Sequence, residues 1–256
     1  MPLLDPEERP LTVEIVREQG ASPFFLLCDH ASRRLPRALG DLGLSDADLE
    51  SHIAWDPGAR DAALELSRRL DAPVALSGWS RLAIDCNRPL EAASSIPEIT
   101  CEVPVPGNVG LDAAARAART EELFRPYHAA IAGLLEARDA RGLESIIVSV
   151  HSFTPSLYGK DRPWHVGVMY GKDARLGRAL FEALSARPDL VVGDNEPYRV
   201  TDGSDYGVPV YAERAGRLGV LVELRQDLVS TAERAHALAD IVASCLPEAA
   251  HRARGA

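Results

Sequence analysis

The feature that most constrains this chain is an alternation of short, wholly apolar runs with amphipathic stretches. Runs of buried-strand length fall at residues 24–28, 74–76, 82–84, 146–150, 166–170, 190–192 and 220–224. Helical periodicity fills several of the gaps. Residues 58–70 carry Ala62, Ala63, Leu66 and Leu70 on one face, and Leu176, Leu180 and Leu184 form a stripe further on. The longest helical stretch covers 111–138, with Glu121 four residues before Arg125. A last helix opens at Ser230, with Glu233 three residues on as in a capping box, and runs to about Cys245. A strand that is apolar at every residue must be covered on both faces. The expected fold is therefore α/β, a three-layer α/β/α sandwich around a mostly parallel mixed sheet.

Two segments break the alternation. Residues 89–110 hold four prolines and no periodicity, and 195–209 are rich in Gly, Asp and Tyr. Loops of that length inside a compact domain usually serve function, so the chain reads as a single domain over 1–256 with two large loops near its site. Charge then removes partners: 38 acidic against 28 basic residues, a formal −10, argue against nucleic acid and anionic membranes. No apolar stretch reaches the roughly 18 residues of a membrane helix. The acidic, proline-broken start lacks a secretory pattern. Cys28, Cys86, Cys101 and Cys245 form no CxxC pair, so reduced thiols in a cytoplasmic enzyme are expected.

In open α/β sheets, ligands gather beyond the carboxyl ends of the strands. The polar residues at those ends are Asp29-His30, then Asp85 with Asn87-Arg88, then His151-Ser152, while Glu223 lies inside the last run. A single histidine there is usually a hydrogen-bonded structural residue. Two on different strand ends, with acids nearby, suit a metal, and a catalytic zinc takes about three N and O ligands with one position open. Asp56, in Trp55-Asp56-Pro57-Gly58, is a candidate third ligand or else a helix cap. A carboxylate in the middle of an apolar strand needs a partner or a raised pKa. Glu223 is thus either paired with Arg225, two residues on, or a general base for metal-bound water. Arg81 could stabilise an oxyanion, and Asn87-Arg88 could clamp a carboxylate. No G-x-S-x-G elbow, P-loop or G-x-G-x-x-G fingerprint is present.

Taken together, these segments resemble the N-formylglutamate amidohydrolase family. The resemblance is carried by Cys28-Asp29-His30-Ala31-Ser32, Ala54-Trp55-Asp56-Pro57-Gly58, Ser80-Arg81-Leu82 with Asn87-Arg88-Pro89, and Val150-His151-Ser152-Phe153. Arg162-Pro163-Trp164-His165, Asn195-Glu196-Pro197-Tyr198 and Val222-Glu223-Leu224-Arg225-Gln226 complete it, in order over about 22–230. It implies a phosphorylase/hydrolase-like, zinc-peptidase-like fold related to the carboxypeptidases and aspartoacylase-type deacylases. It also implies hydrolysis of an N-formyl or other N-acyl amino acid, typified by N-formyl-L-glutamate. By resemblance, His30, Asp56 and His151 look like ligands of Zn²⁺ or another divalent metal. The H-x-x-E glutamate of the related peptidases is missing, because Arg33 stands there; Asp56 replaces it, with Asp29 as second choice. Glu223 matches the base, Arg81 the group on the scissile carbonyl, and Asn87 and Arg88 the carboxylate anchor. Arg225 and Tyr198 are candidates for further polar contacts, and Tyr211 stands where the family commonly has a His. The expected partner is a small anionic N-acyl amino acid, with no nucleic acid or membrane, bound by a monomer or small homo-oligomer. Its rivals are a zinc deacylase or carboxypeptidase-like enzyme for another N-acyl amino acid, and a non-catalytic binding protein on the same fold.

Overall fold

Every residue of Phe24–Cys28, Val74–Ser77, Ile146–Phe153 and Val166–Met169 is buried. That is what covering both faces of a sheet requires. The computed structural model describes residues 2–255. Its main sheet has seven strands: β1 (Val13–Val16), β2 (Phe24–Cys28), β3 (Val74–Ser77), β4 (Ile146–Phe153), β5 (Val166–Met169), β6 (Val192–Asp194) and β7 (Gly219–Arg225). Their spatial order is β1-β3-β2-β4-β7-β5-β6. The central strands β3, β2, β4 and β7 run parallel, whereas β1 joins β3 and β5 joins β7 antiparallel. The sheet is mixed, with helices on both sides.

Alternation along the strands divides the core. Leu26, Val148, Val150, Val220 and Val222 face helices α1 (Ala59–Leu70), α4 (Arg175–Ser185) and α5 (Ala232–Arg254). Phe25, Leu27, Ile147 and Leu221 face the opposite side, under α2 (Ala113–Arg119) and α3 (Arg125–Ala140). The functional residues project from this second face.

Four details differ from the sequence expectation. The run 82–84 is a turn, not a strand. Its carbonyls are taken by side chains from far along the chain: Asn108 Nδ2 donates to Leu82 O at 2.9 Å and Arg119 Nη1 to Ala83 O at 2.8 Å. An edge strand, β1, precedes the first apolar run; half-exposed and only four residues long, it has no such run of its own. The helix expected over 111–138 is interrupted by a π turn at Thr120–Phe124. Pro126 has no amide hydrogen to donate back to Glu122, and the wider turn just before it takes up the mismatch. The last helix is capped by Thr231, whose hydroxyl accepts from Arg234 N at 3.4 Å, and it continues to Arg254. Ser230 instead donates back to the Asp227 carbonyl at 3.3 Å.

Candidate active site

The site begins with the register of two parallel strands. On β4 and β7, His151 and Glu223 are direct partners, so their side chains leave the sheet side by side on one face. Strand β2 pairs with β4 on its other side and ends at Cys28, which sets His30 just beyond the same edge. Asp56 comes from a loop tied to this edge by its own backbone, since Asp56 N donates to His30 O at 3.0 Å. That loop turns into α1 through Gly58, at φ 80°, where a Cβ would come within 2.3 Å of the Val229 carbonyl. Only glycine meets both demands. The Asp56 side chain does not cap α1. It points at the histidines, and Ser152 N donates to its Oδ2 at 3.2 Å.

Three donor atoms converge here. His30 Nδ1 lies 3.2 Å from His151 Nδ1, and Asp56 Oδ2 is 3.3 Å from the first and 2.9 Å from the second. A tetrahedral ion with ligand bonds of about 2.0–2.1 Å has ligand–ligand edges of roughly 3.3 Å. The triangle therefore has the size that a small divalent cation needs, and this buried trio could hold one. The outer imidazole nitrogens fit the same reading. His30 Nε2 faces Asp85 Oδ1 at 2.7 Å, and His151 Nε2 faces Ser149 Oγ at 3.0 Å and Asp29 Oδ2 at 3.5 Å. With Nε2–H donated outward to a carboxylate, each ring turns its Nδ1 lone pair inward.

The electrostatics also favour a cation. Burial alone would raise the carboxyls of Asp29, Asp56 and Asp85. Hydrogen bonding to His151 lowers Asp29, the two imidazoles lower Asp56, and the Arg81 guanidinium lowers Asp85. All three thus sit below the ordinary carboxylate range. Burial would likewise push His151 down, yet Asp29 and Asp56 on its two nitrogens hold it well above its ordinary value. Three ionised carboxylates against the Arg81 guanidinium and a protonated His151 still leave negative charge in excess around the paired imidazoles.

Glu223 is 7% exposed, and its Oε2 is buried without a hydrogen-bond partner. Burial pushes its carboxyl up to about 8, against the lowering influence of His151. The alternative ion pair with Arg225 does not form, because Arg225 pairs with Asp227 at 2.7 Å. Glu223, His30, His151 and Asp56 all line a cavity of about 580 Å³, within the range of small-molecule sites. Both long loops contribute to its wall, through Ser94, Pro97 and Ile99–Cys101 from one and Tyr198–Val200, Ser204 and Asp205 from the other. A second, more open cleft of about 800 Å³ beside Arg175, Arg178 and Glu182 contains none of this chemistry.

The other expected site residues divide. Arg81 lines the cavity and grips Asp85 through Nε at 3.0 Å and Nη2 at 2.7 Å, with Nη1 3.5 Å from Asp56 Oδ1. Arg88 and Tyr198 also line it. Asn87 does too, but its side chain is engaged elsewhere: Oδ1 accepts from Tyr206 N and Gly207 N at 2.9 and 3.0 Å, and Nδ2 donates to Asp205. It fastens the second loop to the site. Asp29 stands behind His151, outside the converging trio, and accepts from the buried Tyr127 hydroxyl at 2.9 Å. Two residues expected to touch substrate lie outside the cavity wall. The Tyr211 hydroxyl is 2.8 Å from His128 Nδ1, and Arg225 holds Asp227 and the Pro163 carbonyl. Asp85 and Tyr127 are functional neighbours that the sequence does not single out: the four-residue spacing from Arg81 is the one local hint of the first, and no local signal marks the second.

This fold and site define a mixed α/β protein built around a buried trio able to hold a metal, with an unpartnered carboxyl beside it. The family is then identified directly. The N-formylglutamate amidohydrolase family model matches residues 22–230, and the chain belongs to that family. Among solved structures, a gene product of Agrobacterium tumefaciens is 34% identical, covering 97% of this chain and 98% of that one, with a TM-score of 0.93. N-formylglutamate amidohydrolase from Ralstonia eutropha JMP134 shares the fold at a TM-score of 0.71 and 17% identity, over 96% of this chain and 100% of that one. A comparison with curated proteins gives no match.

Proposed function

We propose that this protein hydrolyses N-formyl-L-glutamate to formate and L-glutamate, with a zinc ion on His30, Asp56 and His151. The observation that carries this reading is the convergence of two imidazole Nδ1 atoms and a carboxylate oxygen within 3.3 Å, beside the unpartnered Glu223. Zinc, when bound, supplies a Lewis acid that acidifies water and polarises the scissile carbonyl. The protein does the rest. Glu223 in its ionised form takes the proton of the attacking water and returns it to the leaving amine, and burial makes that carboxylate a stronger base than an exposed one. Arg81, kept rigid by Asp85, brings positive charge to the oxygen that becomes negative. Arg88 anchors a substrate carboxylate, and Asn87 positions the loop opposite it.

Metal content of the purified protein, together with formate release from N-formyl-L-glutamate, tests the reading. Stoichiometric zinc with formate release is expected. Metal-free protein that zinc does not activate would refute the metal mechanism. Release from N-acetyl but not N-formyl substrates would reassign the acyl group.

A further inference from the structure

Of the arginines around this site, Arg81 has an anionic partner in Asp85 and Arg225 in Asp227. Arg88, Arg162 and Arg199 do not, and of these Arg199 is an exposed residue of the cavity wall. Arg88 lines the cavity, and its guanidinium has only the neighbouring Asn87 carbonyl, at 3.1 Å. Arg162 is not itself a wall residue; half-buried, it stands against the wall residue Tyr198, with Nη1 donating to the Tyr198 hydroxyl at 2.9 Å and its guanidinium 4.9 Å from the centre of that ring. Among the described residues, none of the three has a carboxylate within ion-pair distance. Tyr198 is itself part of the cavity wall, and the Arg162 charge reaches Glu223 and His52, which are wall residues as well.

The position of Arg162 is built rather than incidental. Its backbone N–H donates to Pro155 O at 2.8 Å, closing a small hairpin at the end of β4. The next residue is held by Arg225, which donates to the Pro163 carbonyl at 3.1 Å. Tyr198 reaches it because the preceding loop crosses β5 at Gly167, where a Cβ would meet the Glu196 carbonyl at 2.2 Å. A stacked, hydrogen-bonded guanidinium still has free N–H groups on its far edge, and a planar fork suits a carboxylate.

We propose that Arg162, braced by Tyr198, is a second carboxylate-binding group, so that the site takes N-acyl amino acids with two carboxylates, one on Arg88 and one on Arg162. This rests on the amidohydrolase reading and adds to it the basis of selectivity for an acidic side chain. In a protein of net charge −10, the unpaired Arg88 in the cavity wall and Arg162 beside it give a dianion the local attraction that the bulk charge denies it.

The test compares N-formyl-L-glutamate with N-formyl-L-glutamine, which is nearly isosteric and carries one charge fewer. The wild type should favour glutamate by roughly 10- to 100-fold in kcat/KM. Arg162→Ala should bring that ratio close to one, chiefly through KM; Arg162→Lys should recover part of it; and Tyr198→Phe should lower it less. A wild type without preference, or an Arg162→Ala variant that keeps the full preference while folded by thermal melting, overturns the subsite. If the wild type cleaves neither compound, the amidohydrolase reading fails and calorimetry decides the subsite separately. Glutarate should then bind the wild type tighter than butyrate, and Arg162→Ala should lose that difference; equal binding of glutarate to both proteins overturns the proposal.

Discussion

Glu223 and His151 are direct partners in the parallel register of β7 and β4, side by side on the face of the sheet that opens into the cavity. A one-residue slip between these strands would put one of the two on the opposite, apolar face. The strands are fully buried up to Leu224, with valines on one face and Ile147, Leu221 and the polar pair on the other, so the core itself enforces the register. Sheet formation therefore places the proposed base and one member of the trio that could hold a cation as one unit.

Replacing Glu223 with Gln keeps the shape and removes the proposed base. Turnover should fall by about 10²–10⁴, while metal content stays unchanged. The metal-free variant should also be more stable than the wild type. A carboxyl whose folded pKa is raised from 4.5 to about 8 costs stability as pH climbs through that window. Denaturant unfolding at pH 5 and 8 checks the sign: the advantage of the variant should be larger at pH 8. Equal stability at both pH values would mean that Glu223 is not held protonated by burial.

Asp85 joins two functions, because one oxygen faces His30 Nε2 at 2.7 Å while the other holds Arg81. Asp85→Asn leaves the volume intact but removes the charge that fixes the His30 tautomer. Loss of such an outer partner typically weakens metal binding by about 10- to 100-fold. Competition against a chelating dye should show that loss for zinc. Unchanged zinc affinity would show that His30 needs no such support.

Much of this arrangement is legible in the sequence, and the reasons for what is hidden are physical. His30, His151 and Glu223 stand out because each breaks or ends an apolar run, and such a break is a local signal. Asp56 is ambiguous in sequence since Asp-Pro-Gly also begins helices, and only the folded loop turns its carboxylate to the histidines. The 82–84 run looks like a strand because apolarity does not reveal that Asn108 and Arg119 take its carbonyls. Tyr127 supports Asp29 across 98 residues of sequence, and Arg162 acquires significance only from what it lacks. Pairwise facts of this kind have no periodicity to read.

Removing the metal should loosen the site. Asp29, Asp56, Asp85 and Glu223 crowd carboxyl groups around two imidazoles and Arg81, and a divalent ion relieves their repulsion. Zinc at a hundredfold excess over its Kd stabilises the folded state by about 2.7 kcal/mol, or roughly 5–10 °C in Tm for a chain of this size. Dialysis against a chelator should lower Tm by that amount, with recovery on adding zinc and none on adding magnesium, which disfavours imidazole ligands. A Tm indifferent to both treatments would speak against the site holding a metal.

His128 offers a test away from the metal. Its Nε2 donates to the Cys86 carbonyl at 3.0 Å, so in the neutral ring Nδ1 accepts from the Tyr211 hydroxyl at 2.8 Å. Burial pushes its pKa down from 6.5 to about 4, although Asp29 pulls it upward. The folded protein therefore favours the neutral ring. The stability that this linkage protects is complete above pH 6.5 and is lost as pH falls through about 4. Between pH 7 and 5 the loss amounts to about 2 kcal/mol. Many carboxylates titrate below that range, so the useful quantity is a difference between proteins. His128→Gln keeps a donor for the Cys86 carbonyl and cannot take up a proton. Its unfolding free energy should decline less than that of the wild type over this interval, by about that amount. Parallel curves for the two proteins would show that the ring titrates normally, and that the Tyr211 contact does not exclude the proton.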